Sequence, residues 1–298
     1  MRGSQVGWLE KTLDALTSKP TIGYAPDAAP ATEPTAFSAL ALIAHNRRLQ
    51  ATPAIDFLAA IQSPDGSVGV REKEPVPQWP TSLAVLAWQA YDKQAYGANI
   101  DRAVNWILQA KGKAMEQNDD MGHNTQLVGW SWAEGTHSWI EPTAFHVLAL
   151  KSAGHGEHPR TREGVTLLLD RQIPSGGCNY GNTSVLGQML RPHVHPTGIA
   201  LLALAGEQDQ GNRIAKSVAW LRKTLSKETT PASLAWGLLG LAAHGVAVPT
   251  ASDWLETAAK RVQSHDGSPH KLALLALAAS GPGIPITTDV STEYRVNP

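Results

Sequence analysis

The residue types best suited to proton transfer stand at two predicted helix starts in the middle of the chain. Glu141 directly precedes Pro142, and His193 and His195 lie just before Pro196, so these side chains stand where helices are expected to begin. A carboxyl group in apolar surroundings can act as a general acid, and imidazole is the side chain that most readily exchanges protons near neutral pH. We therefore predict Glu141, His193 and His195 as catalytic residues.

The glutamates also have a structural interpretation. Glu33 and Glu141 each precede a helix-starting proline, where a negative charge complements the positive end of the helix dipole by about 0.3–1 kcal/mol. Trp130, Trp132 and Trp139 crowd the loop before Glu141 and favour the interpretation of this residue as a cavity acid.

Aromatic side chains are the second chemical signal, since the chain holds 10 Trp against 5 Tyr and 3 Phe. The face of an indole ring attracts a cation through its quadrupole. The residues that we predict to contact a substrate are Trp79, Trp130, Trp132, Trp139, Tyr180 and Glu33. The alternative for the loop tryptophans is that they fix loops to the protein, each burying about 150–250 Å². The tryptophans predicted to serve packing within helices are Trp88, Trp106, Trp220, Trp236 and Trp254.

A metal site is a weaker alternative. His193 and His195 stand two residues apart, but zinc needs further ligands. The candidate further ligands are Glu141, Cys178 and His137. Asp119 and Asp120 resemble a magnesium–diphosphate motif only in composition, and we expect a solvated loop there. The prediction is therefore no cofactor, with zinc or magnesium as the alternative.

Cys178 is the one cysteine of the chain, which excludes a disulfide framework and a zinc site made of cysteines alone. It stands in a loop between Gly177 and Asn179. We expect a buried and unmodified thiol that is inert, because apolar surroundings raise the pKa of a thiol.

A short segment built around proline repeats along the chain, and it indicates the helices that position these residues. It occurs at 33–37, 79–83, 141–145 and 195–199, more weakly at 230–234, and in degenerate form from Pro269. Proline is well tolerated at the start of a helix, where its missing N–H would have no partner. The prolines predicted to lie within a residue or two of a helix start, all at one face of the molecule, are Pro34, Pro80, Pro142, Pro196 and Pro231.

Two kinds of helix alternate along the chain. The segments behind the prolines, such as 37–44 and 199–205, are apolar on all sides, which is typical of buried helices. Six segments between them are apolar on one side only and fit helices with a solvated face. No run alternates with period two, so essentially no sheet is expected. Six outer and six inner helices predict an all-α fold, a single (α/α)6 toroid, with an open solenoid as the alternative.

This pattern predicts one domain over residues 1–298. Its helical repeats span about 5–280, and an irregular C-terminal tail follows at 281–298. The segment 112–125 is the longest stretch without apolar periodicity and is a candidate lid.

Composition narrows the classes of function. The formal net charge is −1, which argues against a nucleic-acid or anionic-membrane binder. The sequence contains no run of about 18 apolar residues, so we predict no transmembrane span. The first residues contain no apolar leader, so we expect a cytoplasmic protein.

The loops carry a further signature. Gln62 is followed by a glycine turn at 65–69, Gln172 by one at 176–181, and Gln263 by one at 266–268. A glutamine at a helix end, then a glycine turn and an aromatic residue, resembles the QW repeats of terpenoid cyclases. The order of outer helix, glycine loop and inner helix is similar to that in the β subunit of protein prenyltransferases. This resemblance covers nearly the whole chain and implies the toroid.

The resemblance implies less about the reaction. The class II cyclases that it points to carry an Asp-x-Asp-Asp-Thr-Ala motif at the start of an inner helix, whose central Asp donates a proton. The best match here is His-Val-His-Pro-Thr-Gly at 193–198, and the same alignment puts Glu33 and Glu141 at the level of the central Asp in their own repeats. Prenyltransferases need an Asp, a Cys and a His that bind zinc, and thioester domains need Cys-Gly-Glu-Gln; Cys178 matches neither.

Together these observations predict a terpenoid-cyclase-like protein that binds an extended apolar, isoprenoid-type substrate in a Trp-lined central cavity. A cavity carboxylate would start cyclisation or isomerisation. The alternatives are a non-catalytic toroid that binds a lipid or a protein partner, and a prenyltransferase-like enzyme. The concentration of Trp, His and Glu in one class of loop favours an enzyme.

Overall fold

The computed structural model describes residues 7–117 and 121–281, and this part of the chain forms twelve helices. The outer helices are α1 (Trp8–Ser18), α3 (Arg48–Ala60), α5 (Gly97–Gln109), α7 (Pro159–Asp170), α9 (Arg213–Thr224) and α11 (Ala251–His265). The inner helices are α2 (Thr32–Ala44), α4 (Thr81–Asp92), α6 (Ile140–Ser152), α8 (Val194–Ala203), α10 (Pro231–Ala243) and α12 (Pro269–Ala278).

The inner helices form a closed ring. Each packs against the next along the chain, and α12 packs against α2. Five of the outer helices contact the inner helices on both sides, as α3 contacts α2 and α4, and α1 contacts α12 and α2, while α7 packs mainly against α6. The protein is therefore the predicted all-α (α/α)6 toroid and not an open solenoid.

The burial of each ring follows the sequence pattern. Residues 34–42 of α2 are all buried, whereas α5 buries only one face, through Ile100, Ala103, Val104 and Ile107. The spacing of these four residues is that of a one-sided helix. Between α7 and α8 lies a small hairpin of two-residue strands, β1 (Ser184–Val185) and β2 (Gln188–Met189), which forms the one two-stranded sheet among the described residues.

The prolines mark the helix starts as predicted. Pro34, Pro142 and Pro196 are the third residues of their helices, Pro231 is the first of α10, and Pro80 directly precedes α4. Contacts between first turns show that these starts share one rim. Glu33 of α2 meets His270 of α12, Glu141 of α6 meets His195 of α8, and Trp79 at the start of α4 stacks on Phe145.

The threonine that follows four of the prolines joins each inner helix to the loop before it. Its Oγ1 accepts a hydrogen bond from a buried backbone N–H of that loop, and it also lies within hydrogen-bond range of the carbonyl oxygen of the same loop residue. The four pairs, with their N–H to Oγ1 distances, are Thr35 with Ile22 (3.2 Å), Thr81 with Val68 (2.8 Å), Thr143 with Trp130 (3.0 Å) and Thr197 with Cys178 (2.9 Å). The Pro-Thr motif therefore fixes loop and helix together.

Glycine lets two inner helices approach each other closely. A Cβ atom at Gly198 of α8 would lie 2.4 Å from the carbonyl oxygen of Trp236 in α10, and one at Gly240 would lie 2.5 Å from the carbonyl oxygen of Gly198. A larger residue at either position would therefore require the backbone to move. The close approach brings the ring of His195 to 6.3 Å from that of Trp236.

The candidate lid at 112–125 is anchored where the structure describes it. Met115 N–H donates to the Thr125 carbonyl oxygen at 3.1 Å, His123 hydrogen-bonds Thr183 at 3.1 Å, and Arg171 donates to the Asn124 carbonyl oxygen at 3.1 Å. These contacts attach the insert to the end of α7 and to the loop that follows. Asp119 and Asp120, and the predicted tail beyond Gly281, lie outside the described residues.

Within the described ranges, no helix is both long enough and apolar enough to cross a membrane.

The threonine contacts give a first prediction. Thr81→Val keeps the shape of the side chain but leaves the buried N–H of Val68 without its acceptor, so we expect a loss of about 1–3 kcal/mol in the free energy of unfolding. The matched control is Thr257→Val, which removes an exposed hydroxyl bonded to the Asp253 carbonyl oxygen and should change stability by less than ~0.5 kcal/mol. Urea unfolding of both variants measures the difference, and equal losses would contradict the role given to Thr81.

Candidate functional site

Four titratable side chains meet at the rim where the inner helices begin. They are the second residues of their helices: Glu33 in α2, Glu141 in α6, His195 in α8 and His270 in α12. His195 Nε2 lies 3.4 Å from Glu141 Oε2, and His270 Nε2 lies 3.5 Å from Glu33 Oε1. Because α6 and α8 lie across the ring from α12 and α2, the two carboxyl–imidazole pairs face each other across its mouth.

Both pairs are largely shielded from water. Glu141 and His195 expose 12% and 24% of their side chains, and Glu33 and His270 expose 14% each. Neither His195 Nε2 nor His270 Nε2 has a hydrogen-bond partner of good geometry among the described residues. A buried ring nitrogen without such a partner costs stability, and a bound ligand could satisfy it.

Tyr24 ties the two pairs into one electrostatic unit. Its hydroxyl donates a hydrogen bond to Glu33 Oε2, and its ring packs edge-on to His270 at 5.2 Å. Burial raises the pKa of Tyr24 well above its ordinary value, and the negative charges of Glu33 and Glu141 raise it further. Tyr24 therefore contacts the Glu33–His270 pair directly and is influenced by the charge of Glu141.

An aromatic floor closes the ring one helical turn below these residues. It consists of Phe37, Phe145 and Trp236, the sixth residues of α2, α6 and α10. Their ring centroids lie 5.3 to 6.2 Å apart, and all three side chains are buried. They therefore fill the centre of the ring beneath the four titratable residues.

The predicted residues at the edge of the mouth lie as follows. Trp79 packs between Phe145, at 6.4 Å, and Trp132, at 4.7 Å. Tyr180 is 42% exposed, and Glu141 contributes to the rise in its pKa after the larger effect of burial. His193 is exposed and contacts the ring of Tyr180 at 5.3 Å, so the two rings form the outer rim beside Glu141.

The other loop tryptophans lie away from the two pairs. Trp130 is buried between the outer and inner rings: it stacks on His146 of α6 at 5.2 Å, and its Nε1–H donates to the Ile107 carbonyl oxygen. Trp139 precedes α6 and packs on His137 at 4.7 Å. The structure thus gathers Glu33, Glu141, His195 and Trp79 at the mouth, with Tyr180 and His193 at its rim.

Sequence reasoning missed five residues of the site. Tyr24 lies in a loop with no motif to indicate it. Phe37 and Phe145 each stand three residues after the proline of their repeat, a signal that the sequence offers, whereas Trp236 stands five residues after its proline because α10 begins there. His270 stands one residue after its proline, whereas Glu33, Glu141 and His195 stand one residue before theirs, so alignment on proline did not reveal it.

The described residues contain no group of three or more His, Cys, Asp and Glu side chains that could hold a metal ion. His193 and Cys178 are joined through their backbones, since the His193 N–H donates to the Cys178 carbonyl oxygen at 2.9 Å. This contact explains their proximity without a metal.

Cys178 is fully buried, as expected, and burial raises the pKa of its thiol to about 12. Because its pKa is so high, Cys178 is almost entirely protonated at neutral pH. We expect an aromatic disulfide reagent to label native protein far more slowly than urea-unfolded protein, in which one thiol per chain should react at once. Rapid stoichiometric labelling of the native protein would contradict this prediction.

His146 gives a prediction on pH. It is fully buried, its Nδ1 donates to the Pro142 carbonyl oxygen at 2.6 Å, and burial lowers its pKa to about 4. Because the unfolded chain binds this proton near pH ~6.5, the stability that neutral His146 contributes is present above that pH and is lost as pH falls toward ~4.

The measurement is the free energy of unfolding in urea between pH 7 and pH 4. It should decrease on acidification, with His123 contributing in the same sense because burial lowers its pKa to about 4 as well. His146→Phe should weaken this pH dependence, and an unchanged dependence would show that His146 titrates normally in the folded protein.

Comparison with known proteins supports the fold. No protein-family model and no curated protein matches the chain. Among solved structures, a protein from Actinoplanes is 16% identical, with a TM-score of 0.55 over 87% of this chain and 80% of that one. A variant of the type II terpene cyclase MstE from Scytonema is 16% identical, with a TM-score of 0.52 over 86% and 77%.

A mutant of the α2-macroglobulin of Salmonella also shares the fold. It is 14% identical, with a TM-score of 0.51, and the match spans 90% of this chain but only 17% of that larger one. At such identities the likeness concerns architecture alone. The chain has a terpene-cyclase-like toroid fold.

Proposed function

We propose that the protein binds an extended apolar, isoprenoid-type molecule at the mouth of the toroid and that Glu141 starts its cyclisation or isomerisation by donating a proton. The observation that carries this proposal is the pair of Glu141 and His195, 3.4 Å apart on neighbouring inner helices above an aromatic floor. The likeness of fold to a type II terpene cyclase supports the class of substrate.

The proposed chemistry begins with Glu141 in its protonated form. Its O–H bond breaks as the proton forms a new C–H bond with an alkene carbon of the substrate, which leaves a glutamate anion and a carbocation. His195 Nε2 lies 3.4 Å from one carboxyl oxygen of Glu141, and the other carboxyl oxygen can face the substrate. General acid catalysis of this kind contributes about 10²–10⁴-fold to a rate.

The aromatic floor then stabilises the cation. Phe37, Phe145 and Trp236 are held by the surrounding helices, so their ring faces need no reorganisation when positive charge develops. Trp79 adds a further aromatic face at the α4 side of the mouth.

The second pair offers the base that ends the reaction. Glu33 lies across the mouth from Glu141, oriented by the hydroxyl of Tyr24 and accompanied by His270. A C–H bond next to the cationic carbon gives its proton to this pair, and its electrons form the new alkene. Proton donor and acceptor thus stand on opposite sides of the bound chain, and no net proton is consumed.

The test uses Glu141→Gln, which keeps the shape of the side chain and removes the acid. Linear polyprenyl alcohols and the corresponding hydrocarbons of increasing length are incubated with the protein in D₂O, and products are analysed by mass spectrometry. The wild type should form a product that carries one deuterium from solvent, and Glu141→Gln should lower its rate by about 10²-fold or more.

The control is Glu256→Gln, which changes an exposed glutamate of α11 paired with Lys260 and should leave the rate unchanged. Full activity of Glu141→Gln would refute the role of Glu141. Saturable binding of these molecules without any turnover by the wild type would instead support the non-catalytic toroid.

A further inference from the structure

A second cavity lies between the outer and inner rings, on the side of α5. It has a volume of about 700 Å³, within the range of roughly 300–1,000 Å³ that small-molecule sites occupy. It extends from the end of α5 to the loop at 130–135, and it shares with the mouth only the side chain of Trp79.

Four tryptophans line this cavity: Trp79, Trp106, Trp130 and Trp132. Trp130 is held between two partners, with His146 stacked on its ring at 5.2 Å and an interplanar angle of 6°, and the guanidinium of Arg160 at 4.5 Å from its ring centre. Trp79 and Trp132 meet edge to face at 4.7 Å. The half-buried indoles of Trp106 and Trp132 give the cavity flat faces on which a planar aromatic ligand can stack.

His146 adds a buried polar group to the cavity wall. Its Nδ1 lies 2.6 Å from the carbonyl oxygen of Pro142, and a carbonyl oxygen can only accept, so Nδ1 carries the proton. In the neutral ring, Nε2 is therefore a hydrogen-bond acceptor. This atom is buried and has no partner among the described residues, although His146 is part of the cavity wall.

We propose that this cavity is a binding site for a small planar aromatic molecule that carries a hydroxyl group, which donates a hydrogen bond to His146 Nε2. The tryptophans bind the ring, and the imidazole selects the hydroxyl. A molecule whose oxygen is methylated fills the same space but leaves Nε2 unsatisfied.

The charges at the cavity agree with a neutral ligand. The lining contains Lys111 and Lys113 as well as Asp65 and Glu134, so these charges balance. Burial keeps His146 neutral at neutral pH, since it lowers the pKa of the ring to about 4. At His146 the cavity therefore offers a neutral hydrogen-bond acceptor, which suits the hydroxyl group of an uncharged ligand.

The experiment measures the binding of three probes by tryptophan fluorescence and by calorimetry: naphthol, its methyl ether and naphthalene. Naphthol should bind the wild type roughly three- to tenfold more tightly than the ether, as one net hydrogen bond provides. His146→Phe keeps the stacking on Trp130 but removes the acceptor, so naphthol and the ether should bind this variant equally.

A second variant tests the aromatic wall. Trp132→Ala should weaken all three probes, whereas Trp254→Ala, which changes a half-buried tryptophan of α11 outside the cavity, should weaken none. If His146→Phe does not fold, the imidazole nitrogen signals of the wild type still test the proposal, because naphthol should shift Nε2 of His146 and the ether should not.

Equal affinity of the wild type for naphthol and its ether, or no saturable binding of naphthol, would overturn the proposal. Because the readout is binding at the side cavity, it is independent of turnover at Glu141. Glu141→Gln should bind naphthol as the wild type does.

Discussion

The hydrogen bonds between a threonine hydroxyl and the backbone of the preceding loop are the constraint on which the rest of the site depends. In four repeats the hydroxyl of the Pro-Thr threonine accepts from a buried N–H of the loop, and these loops enter the rim from the outer ring. A buried N–H without an acceptor is costly, so each loop has one favourable path past its helix. The path fixes where the first turn of the inner helix starts, and with it the direction of the side chains that the turn presents to the mouth.

Because every inner helix starts at the same rim, one helical position recurs around the ring with different chemistry. The second residue is Glu33 in α2, Glu141 in α6, His195 in α8 and His270 in α12, and the sixth is aromatic in α2, α6 and α10. Residues four apart lie on one helical face, so Glu33 stands directly above Phe37, and Glu141 above Phe145. A repeat evolved for packing thus provides a polar layer over an apolar one, and the two Glu–His pairs result from neighbouring helices contributing opposite members.

The sequence predicts the helical part of this arrangement because burial follows a regular period, and the ring closes as expected from six buried and six one-sided segments. It predicts Glu141 and His195 because both precede a proline. It does not reveal His270, since α12 begins at its proline whereas α2, α6 and α8 begin two residues earlier. Trp130 shows a second limit of sequence-based prediction. Its position in the loop before α6 predicts a place at the mouth, but its backbone hydrogen bond to Thr143 and its stacking on His146 hold it between the outer and inner rings. Periodicity fixes helix faces, while loop side chains depend on partners distant in sequence.

The likeness to a terpene cyclase and to part of an α2-macroglobulin shows that one toroid serves different proteins, so function must be argued from side chains. Glutamates at helix starts would by themselves be explained by the helix dipole. That explanation requires no histidine opposite each one. It also does not explain the buried Nε2 atoms of His195 and His270, which lack a hydrogen-bond partner of good geometry among the described residues. A chain selected for stability alone would satisfy or replace these imidazoles, because each unsatisfied nitrogen costs about 1–3 kcal/mol. A ligand that donates or accepts a hydrogen bond at these nitrogens would recover that cost, which the helix dipole does not.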